Sequence, residues 1–103
     1  MSTYSFGEKL RQLREDGALP LRKVAVLADI DPAILSKIER GQRRATREQV
    51  TKLSEVFNVM DNDLVIAWLS DKIVYEVEDE DTALTALLVA EEKVRYITKN
   101  KAK

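Results

Sequence analysis

The sequence predicts a small all-α protein. Its apolar residues recur at the spacing i, i+3, i+4 and i+7, which is typical of one helix face, in six successive segments. Turn signals such as Asp16-Gly17 separate the segments, and a chain of 103 residues suits about one domain. We therefore expect five helices in one domain, followed by an additional C-terminal helix. Polar and apolar residues alternate weakly over Lys72–Val77, so a short strand there remains an alternative.

The first helix is expected from about Ser5 to Glu15. Phe6, Leu10 and Leu13 recur at helical spacing and form its apolar stripe. Asp16-Gly17 then ends the helix, because Gly adopts turn conformations that other residues avoid.

The second helical pattern, Leu21–Ala28, lies very close to the third. Only Asp29-Ile30 separates it from the residue that can begin the next helix. Two helices joined by so tight a turn cross at a steep angle, so small residues are needed at their contact. Ala25 and Ala28 meet that need, and the pair predicts a helix-turn-helix.

The third helix has clear signals at both ends and two unlike faces. Asp31 can cap it with its carboxylate, Pro32 suits its first position, and Gly41 closes it. At 100° per residue the apolar face holds Ile34, Leu35 and Ile38. The opposite face holds Ala33, Ser36, Lys37 and Arg40, and we expect it to stay exposed and to contact a partner.

These segments resemble the phage-repressor and Cro-type (XRE) helix-turn-helix family. The resemblance is carried by Leu19-Pro-Leu-Arg-Lys-Val-Ala25, Ile30-Asp31, Leu35-Ser-Lys-Ile-Glu-Arg-Gly41 and Leu53-Ser-Glu-Val-Phe-Asn-Val59. It covers about residues 5–70 and is specific, because several spaced positions match in order. It implies a lambda-repressor-like domain that binds double-stranded DNA and regulates transcription.

The resemblance also implies roles for single residues. A first-helix Arg and the Glu of the Glu-Arg-Gly motif commonly pair in this family, which predicts a structural ion pair between Arg14 and Glu39. Leu21 replaces the family's DNA-facing Gln and can neither donate nor accept a hydrogen bond. Asp29 replaces the turn Gly, and Asp tolerates left-handed backbone better than most residues.

Charge is divided along the chain in a way that suits DNA binding. Up to Met60 there are 11 Lys/Arg against 8 Asp/Glu, and from Asp61 onward 6 against 10. Basic side chains flank the third helix and can neutralise phosphates, although a solvated charged face is the alternative for a basic run alone. The predicted phosphate contacts are Arg22, Lys23, Arg43, Arg44 and Arg47. We expect the polar face of the third helix (Ala33, Ser36, Lys37 and Arg40) to read DNA bases. On that face the Ala33 side chain suits contact with a thymine methyl group, and Lys37 suits donation to guanine.

Composition excludes several classes of protein. The sequence has no Cys and no His, so it lacks a thiol nucleophile, an imidazole acid or base, a disulfide and the usual zinc ligands. We therefore expect no enzyme, no metal site and no cofactor. The longest uncharged stretches, Leu64–Ser70 and Thr82–Ala90, are too short to span a membrane. Charges arrive too early for a signal peptide, which favours a cytoplasmic protein.

The fourth helix starts with a capping box formed by Thr46 and Gln49. Asp61 or Asn62 can cap a fifth, largely apolar helix. Trp68 on that helix is open to two interpretations: it contacts a ligand or partner, or it covers the small core.

The C-terminal region is expected to be separate from the DNA-binding domain. We predict a domain at 1–75, an acidic linker at 76–81 and a helical extension at 82–103. Five carboxylates in six residues favour a solvated linker, with a metal-binding loop as the alternative. Asp79 or Asp81 is expected to cap the last helix, from Thr82 to about Thr98. A frayed basic tail, Lys99–Lys103, would follow.

The last helix carries an apolar stripe that needs cover. It can pack back on its own chain, or it can join two copies, which would place two reading helices one DNA turn apart on a partly palindromic operator. We expect a homodimer that acts as a repressor, with an antitoxin-like protein-interaction module as the alternative. The predicted dimer interface is Leu64, Trp68, Leu84, Leu87, Leu88 and Val94.

Overall fold

The computed structural model describes residues 4–101, apart from the side chain of Asp61. Over this range it contains six α-helices and no strand, so the all-α prediction is confirmed and Lys72–Val77 is helical. The helices are α1 (Phe6–Asp16), α2 (Leu21–Ala28), α3 (Pro32–Glu39), α4 (Arg47–Val56), α5 (Asp61–Val77) and α6 (Ala83–Lys101). None of these helices is long and apolar enough to cross a membrane.

The chain divides into two compact units, Met1–Lys72 and Ile73–Lys103. The first unit holds the core. It is built from the apolar stripes of α1 to α4 and from one face of α5, and its most buried large side chains are Leu10, Leu35, Ile38, Leu53, Leu64, Val24 and Val50. Ala25 and Ala28 are buried as well, as expected where two helices approach closely.

Side-chain caps fix the first residues of two core helices. Ser5 and Glu8 form a capping box at α1, which the sequence reasoning did not identify. The predicted box at α4 is confirmed: Gln49 N donates to Thr46 Oγ1 over 3.1 Å, and Thr46 N donates to Gln49 Oε1 over 2.9 Å. Such caps satisfy amide groups that have no partner inside the helix.

The packing of α1 on α3 depends on a glycine. A Cβ atom built on Gly7 would lie 2.5 Å from the carbonyl oxygens of both Ile38 and Glu39. The Cβ atom of any other residue would press on these backbone carbonyl groups, so Gly7 sets how closely the two helices approach. Asp71 of α5 also contacts α1, because its Oδ2 accepts from Phe6 N at 2.9 Å.

Two expectations for α5 are decided by burial. Trp68 is half-buried against the core and its Nε1 donates to the carbonyl oxygen of Ala45 at 2.8 Å, which supports the interpretation that it covers the core. Leu64 is fully buried in the same core. It is therefore unavailable to a partner, and its place in the predicted dimer interface is corrected. Asp61 and Asn62 were the predicted capping residues of α5. The helix begins at Asp61, so Asn62 lies inside it, and the side chain of Asp61 is not part of the described structure.

The second unit consists of the end of α5 and all of α6. Glu76 and Val77 belong to α5, so the acidic connection is 78–82 instead of 76–81. The helix α6 begins at Ala83, so Thr82 is the residue directly before it. The predicted capping residues, Asp79 and Asp81, lie farther from the start of the helix. It continues through Lys101, so Lys99 to Lys101 are helical and not frayed; residues 102–103 lie outside the description. No residue of α6 is buried.

Candidate nucleic-acid interface

Both ends of α3 are fixed by hydrogen bonds. Asp31 Oδ1 accepts from Ala33 N at 2.8 Å and from Ile34 N at 3.3 Å, and Pro32 occupies the first turn. At the other end Gly41 adopts φ +75°. Its N–H and that of Gln42 donate back to the carbonyls of Ile38 (3.1 Å) and Lys37 (2.8 Å). The predicted start and stop of this helix are therefore confirmed, and Gly suits the left-handed stop.

The two faces of α3 are separated as the periodicity predicts. Leu35 and Ile38 are buried, and Ile34 is half-buried against the core. On the opposite face Ala33, Lys37 and Arg40 are exposed, whereas Ser36 is half-buried. This exposed face is called the reading face below, and it comprises Ala33, Ser36, Lys37 and Arg40.

Arg40 lies at the C-terminal end of the reading face and folds back on it. Its Nε donates to the carbonyl oxygen of Ser36 at 3.3 Å, and its backbone N–H donates to the same oxygen at 3.1 Å. In this conformation the guanidinium group hydrogen-bonds to a carbonyl oxygen at the C-terminal end of the helix. The Lys37 ammonium group is the exposed cation nearest the middle of the face.

The turn between α2 and α3 uses an aspartate where glycine is usual. Asp29 adopts φ 56° and ψ 49°, in the left-handed region. The following residue, Ile30, donates its N–H to Ala25 O at 2.9 Å and buries its side chain. The expectation that Asp29 accepts left-handed backbone is confirmed, and the turn brings α3 directly after α2.

A bidentate ion pair joins α1 to the end of α3. Arg14 Nε lies 2.7 Å from Glu39 Oε2, and Arg14 Nη2 lies 3.0 Å from Glu39 Oε1. Arg14 Nη1 also donates to Leu19 O at 3.1 Å. The hydrogen bond to Glu39 raises the pKa of Arg14 above its ordinary value, despite some desolvation. The predicted pair is confirmed, and it holds the reading helix against α1.

The predicted phosphate contacts lie on three connected parts of the first unit. Arg22 and Lys23 open α2, Arg43 and Arg44 lie between α3 and α4, and Arg47 begins α4. All five side chains are exposed. Because α2 packs on both α3 and α4, these cations surround the helix-turn-helix instead of scattering over the domain.

Lys52 shows that not every cation of this unit is available to DNA. Its Nζ lies 3.6 Å from Glu48 Oε1 and 3.9 Å from Asp29 Oδ2. These acidic neighbours compensate its charge. Lys52 is therefore not counted among the candidate DNA contacts.

Three supporting contacts were not predicted from the sequence, although Trp68 itself was expected to cover the core or to contact a ligand or partner. Gly7 permits the contact of α1 with α3, Asp71 accepts from the first turn of α1, and Trp68 holds Ala45 beside the exposed arginines. Gly7 had a usable signal, since an isolated Gly inside a helical pattern often marks a close approach. The other two contacts join residues far apart in sequence, which local patterns do not reveal.

Comparison with known proteins agrees with this geometry. A family model described as a helix-turn-helix domain matches residues 5–67. Control protein C.BamHI of Bacillus amyloliquefaciens is 33% identical over 61 residues, which are 58% of this chain and 75% of that protein. The family match to residues 5–67 thus covers α1 to α4 and the first part of α5.

Two solved structures extend the comparison. The restriction-modification controller protein C.AhdI from Aeromonas hydrophila superposes with a TM-score of 0.55 at 30% identity, over 57% of this chain and 89% of its own. A chain of the SinR protein/SinI protein complex superposes with a TM-score of 0.55 at 20% identity, over 95% of this chain and 99% of its own, and shows the fold alone. The relative is described as a control protein, and the C.AhdI structure as a controller protein. The chain belongs to the Cro-type (XRE) helix-turn-helix family of DNA-binding transcriptional regulators.

Proposed function

We propose that this protein is a cytoplasmic transcriptional repressor that binds a partly palindromic operator as a homodimer, with α3 in the major groove. The observation that carries the proposal is the reading face, which lies on a helix whose two ends are fixed by hydrogen bonds and whose opposite side packs in the core. A helix held in this way can enter the groove without rearrangement. Occupying a promoter then blocks transcription and needs no catalytic group.

Sequence readout is assigned mainly to Lys37. Its exposed ammonium group can donate to the O6 and N7 atoms of guanine, and the Ala33 methyl group can contact the methyl group of thymine. Ser36 is half-buried and Arg40 is bound to the Ser36 carbonyl, so both contribute less base discrimination. The protein is thus proposed to read few bases per copy.

Affinity is assigned to the phosphate contacts of Arg22, Lys23, Arg43, Arg44 and Arg47. Each contact releases counterions from the DNA, so binding depends steeply on salt but not on sequence. Because base contacts are few, these residues provide most of the binding free energy. A second copy of the chain is then needed for useful specificity.

The second copy is proposed to bind through α6. Leu84, Leu88 and Val94 of this helix are 79%, 66% and 60% exposed, and Leu87 is half-buried. Most helical stability in proteins comes from packing of an apolar face, so a partner that covers this face would stabilise α6. Leu64 is excluded because it is buried, and Trp68 is engaged with the core.

The charges along the second unit favour an antiparallel pair of α6 helices. Acidic residues Glu78 to Asp81 precede the helix, whereas Lys99 and Lys101 lie at its end. In an antiparallel pair the basic end of each copy lies beside the acidic segment of the other. A parallel pair would place like charges together.

The readout is tested with Lys37→Ala in a binding-site selection. We expect the preferred operator to lose about 1–3 kcal/mol of binding free energy and one position of the consensus to relax. Lys9→Ala, on α1, is the control for loss of one positive charge and should leave the consensus unchanged. An unaltered consensus with Lys37→Ala would reject the assignment.

The dimer is tested with the double variant Leu84→Glu, Leu88→Glu, since both side chains are exposed and their replacement spares the core. Light scattering at tens of micromolar should show a dimer for the natural chain and a monomer for the variant. Ile66→Glu, at an exposed position of α5, is the matched control and should stay dimeric. A variant that dimerises like the natural chain would refute the α6 interface.

The exposed apolar surface of α6 also supports a second candidate function, a protein-interaction module of the antitoxin type. The SinR protein in the solved SinR/SinI complex assembles with another protein. A repressor should prefer its own upstream region over random DNA by a large factor. A pure interaction module should bind both weakly and equally.

A further inference from the structure

The segment between α3 and α4 carries two exposed arginines on irregular backbone. Its start is fixed where Gln42 N donates to Lys37 O, and its end is fixed by the Thr46 cap. Arg43 and Arg44 lie between these points and are exposed. Ordering flexible side chains and backbone on binding costs free energy, so a segment already held in place binds more tightly than a mobile one.

Trp68 contacts the backbone of this segment between the two arginines and its Thr46 end. The residue after the two arginines, Ala45, is buried, and its carbonyl oxygen accepts from the Trp68 indole Nε1 at 2.8 Å. The indole ring packs on the core, and the Lys72 ammonium group lies 4.7 Å from the ring centroid. Trp can pack an apolar ring and donate a hydrogen bond at the same time, which Phe and Leu cannot do.

We propose that Trp68 is a positioning residue for DNA binding, which acts by fixing the backbone that presents Arg43 and Arg44 to phosphates. This inference rests on the phosphate contacts proposed above for those two arginines. Trp68 itself touches no DNA. Its hydrogen bond to Ala45 raises the affinity for any duplex equally. The sequence preference is determined by the reading face.

The direct test removes the donor and keeps an aromatic ring. Trp68→Phe should weaken binding to the operator and to random duplex by the same factor, roughly three- to tenfold. The salt slope should stay unchanged, because the same phosphates are contacted once the segment is ordered. Tyr75→Phe, which removes a polar group from an exposed aromatic residue of α5, is the matched control and should bind like the natural chain.

A double-mutant cycle separates positioning from general stability. Arg43→Ala with Arg44→Ala should weaken binding and lower the salt slope by roughly 0.9 for each lost contact. Adding Trp68→Phe to that variant should weaken binding no further, since nothing remains to be positioned. A merely structural tryptophan would lower the unfolding midpoint and leave DNA affinity unchanged at a temperature where both proteins are folded.

Each outcome has a distinct meaning. If Arg43→Ala with Arg44→Ala leaves affinity and salt slope unchanged, the proposed phosphate contacts fail. If that variant binds weakly but Trp68→Phe binds normally, or weakens both backgrounds equally, the positioning role is overturned. Should Trp68→Phe not fold by circular dichroism, 3-benzothienylalanine at position 68 gives the same test, because it keeps the two-ring volume and lacks the N–H donor.

Discussion

The two units of the chain bury their apolar side chains to very different extents. Leu53 in the first unit is fully buried, whereas Leu88 in the second is 66% exposed. Both are leucines on helices, so residue type does not account for the difference. The contrast indicates that the first unit carries the stability of the chain, and that the second carries surface still available for association.

Replacing one leucine in each unit tests this comparison most strongly. Leu53→Ala should reduce the free energy of unfolding by about 2–5 kcal/mol, because it leaves a cavity in a packed core. Leu88→Ala should change it by less than about 0.5 kcal/mol in dilute protein. Urea denaturation followed by circular dichroism measures both. Equal losses would mean that Leu88 is packed inside the single chain.

Ion pairs sharpen the same contrast. Glu39→Ala should cost about 3 kcal/mol, because it leaves the largely buried Arg14 without its carboxylate partner. Glu91→Ala removes an exposed pair with Arg95 and should cost less than about 0.5 kcal/mol. Thermal melts of the two variants compare them directly, and similar midpoints would contradict the prediction.

The pH dependence of the Arg14 contribution follows from the direction of its pKa shift. The pKa of Arg14 is raised in the folded state, so its contribution is fully present below the unfolded-state pKa. It is lost only as pH rises through the still higher folded-state pKa, in strongly basic solution. The difference between the natural chain and Glu39→Ala should therefore show no titration attributable to Arg14 across the neutral range.

A further prediction concerns how closely helices approach within the first unit. Gly7→Ala should reduce stability by about 1–3 kcal/mol, because the new Cβ would press on the α3 carbonyls. Gly17→Ala is the matched control, since its nearest neighbour would lie 3.4 Å away and its φ of −85° suits alanine. Equilibrium denaturation in urea decides the case. Two equally stable variants would show that α1 can move away from α3 freely.

Local features of the fold could be predicted from the sequence. The Asp31 cap, the Thr46 capping box and the Gly41 stop depend on residues a few positions apart, and all three are observed. The faces of α3 follow from periodicity, because its apolar residues fill only one side. The Arg14–Glu39 pair spans 25 residues and was accessible only through the family resemblance.

The surfaces of α5 and α6 could not be predicted, because both helices are apolar on more than one side. In α5, Leu64 is buried but Ile66 is 65% exposed, and periodicity alone does not decide which of them faces the core. The Trp68–Ala45 hydrogen bond depends on how helices pack, which is a property of the whole domain. The sequence predicts a frayed end from Lys99, whereas α6 continues through Lys101. Basic side chains at a helix C-terminus interact favourably with the helix dipole, which stabilises this last turn.

In α3, the residues that fix the shape of the helix differ from those on its exposed face. This separation affects which substitutions the protein can accept. The helix has eight residues, too few to persist alone, so its shape comes from its caps and from Leu35 and Ile38. Ala33 and Lys37 contribute little to that shape. The base readout proposed for Ala33 and Lys37 can therefore change by substitution without a penalty in folding, so that new specificities would arise on an unchanged scaffold.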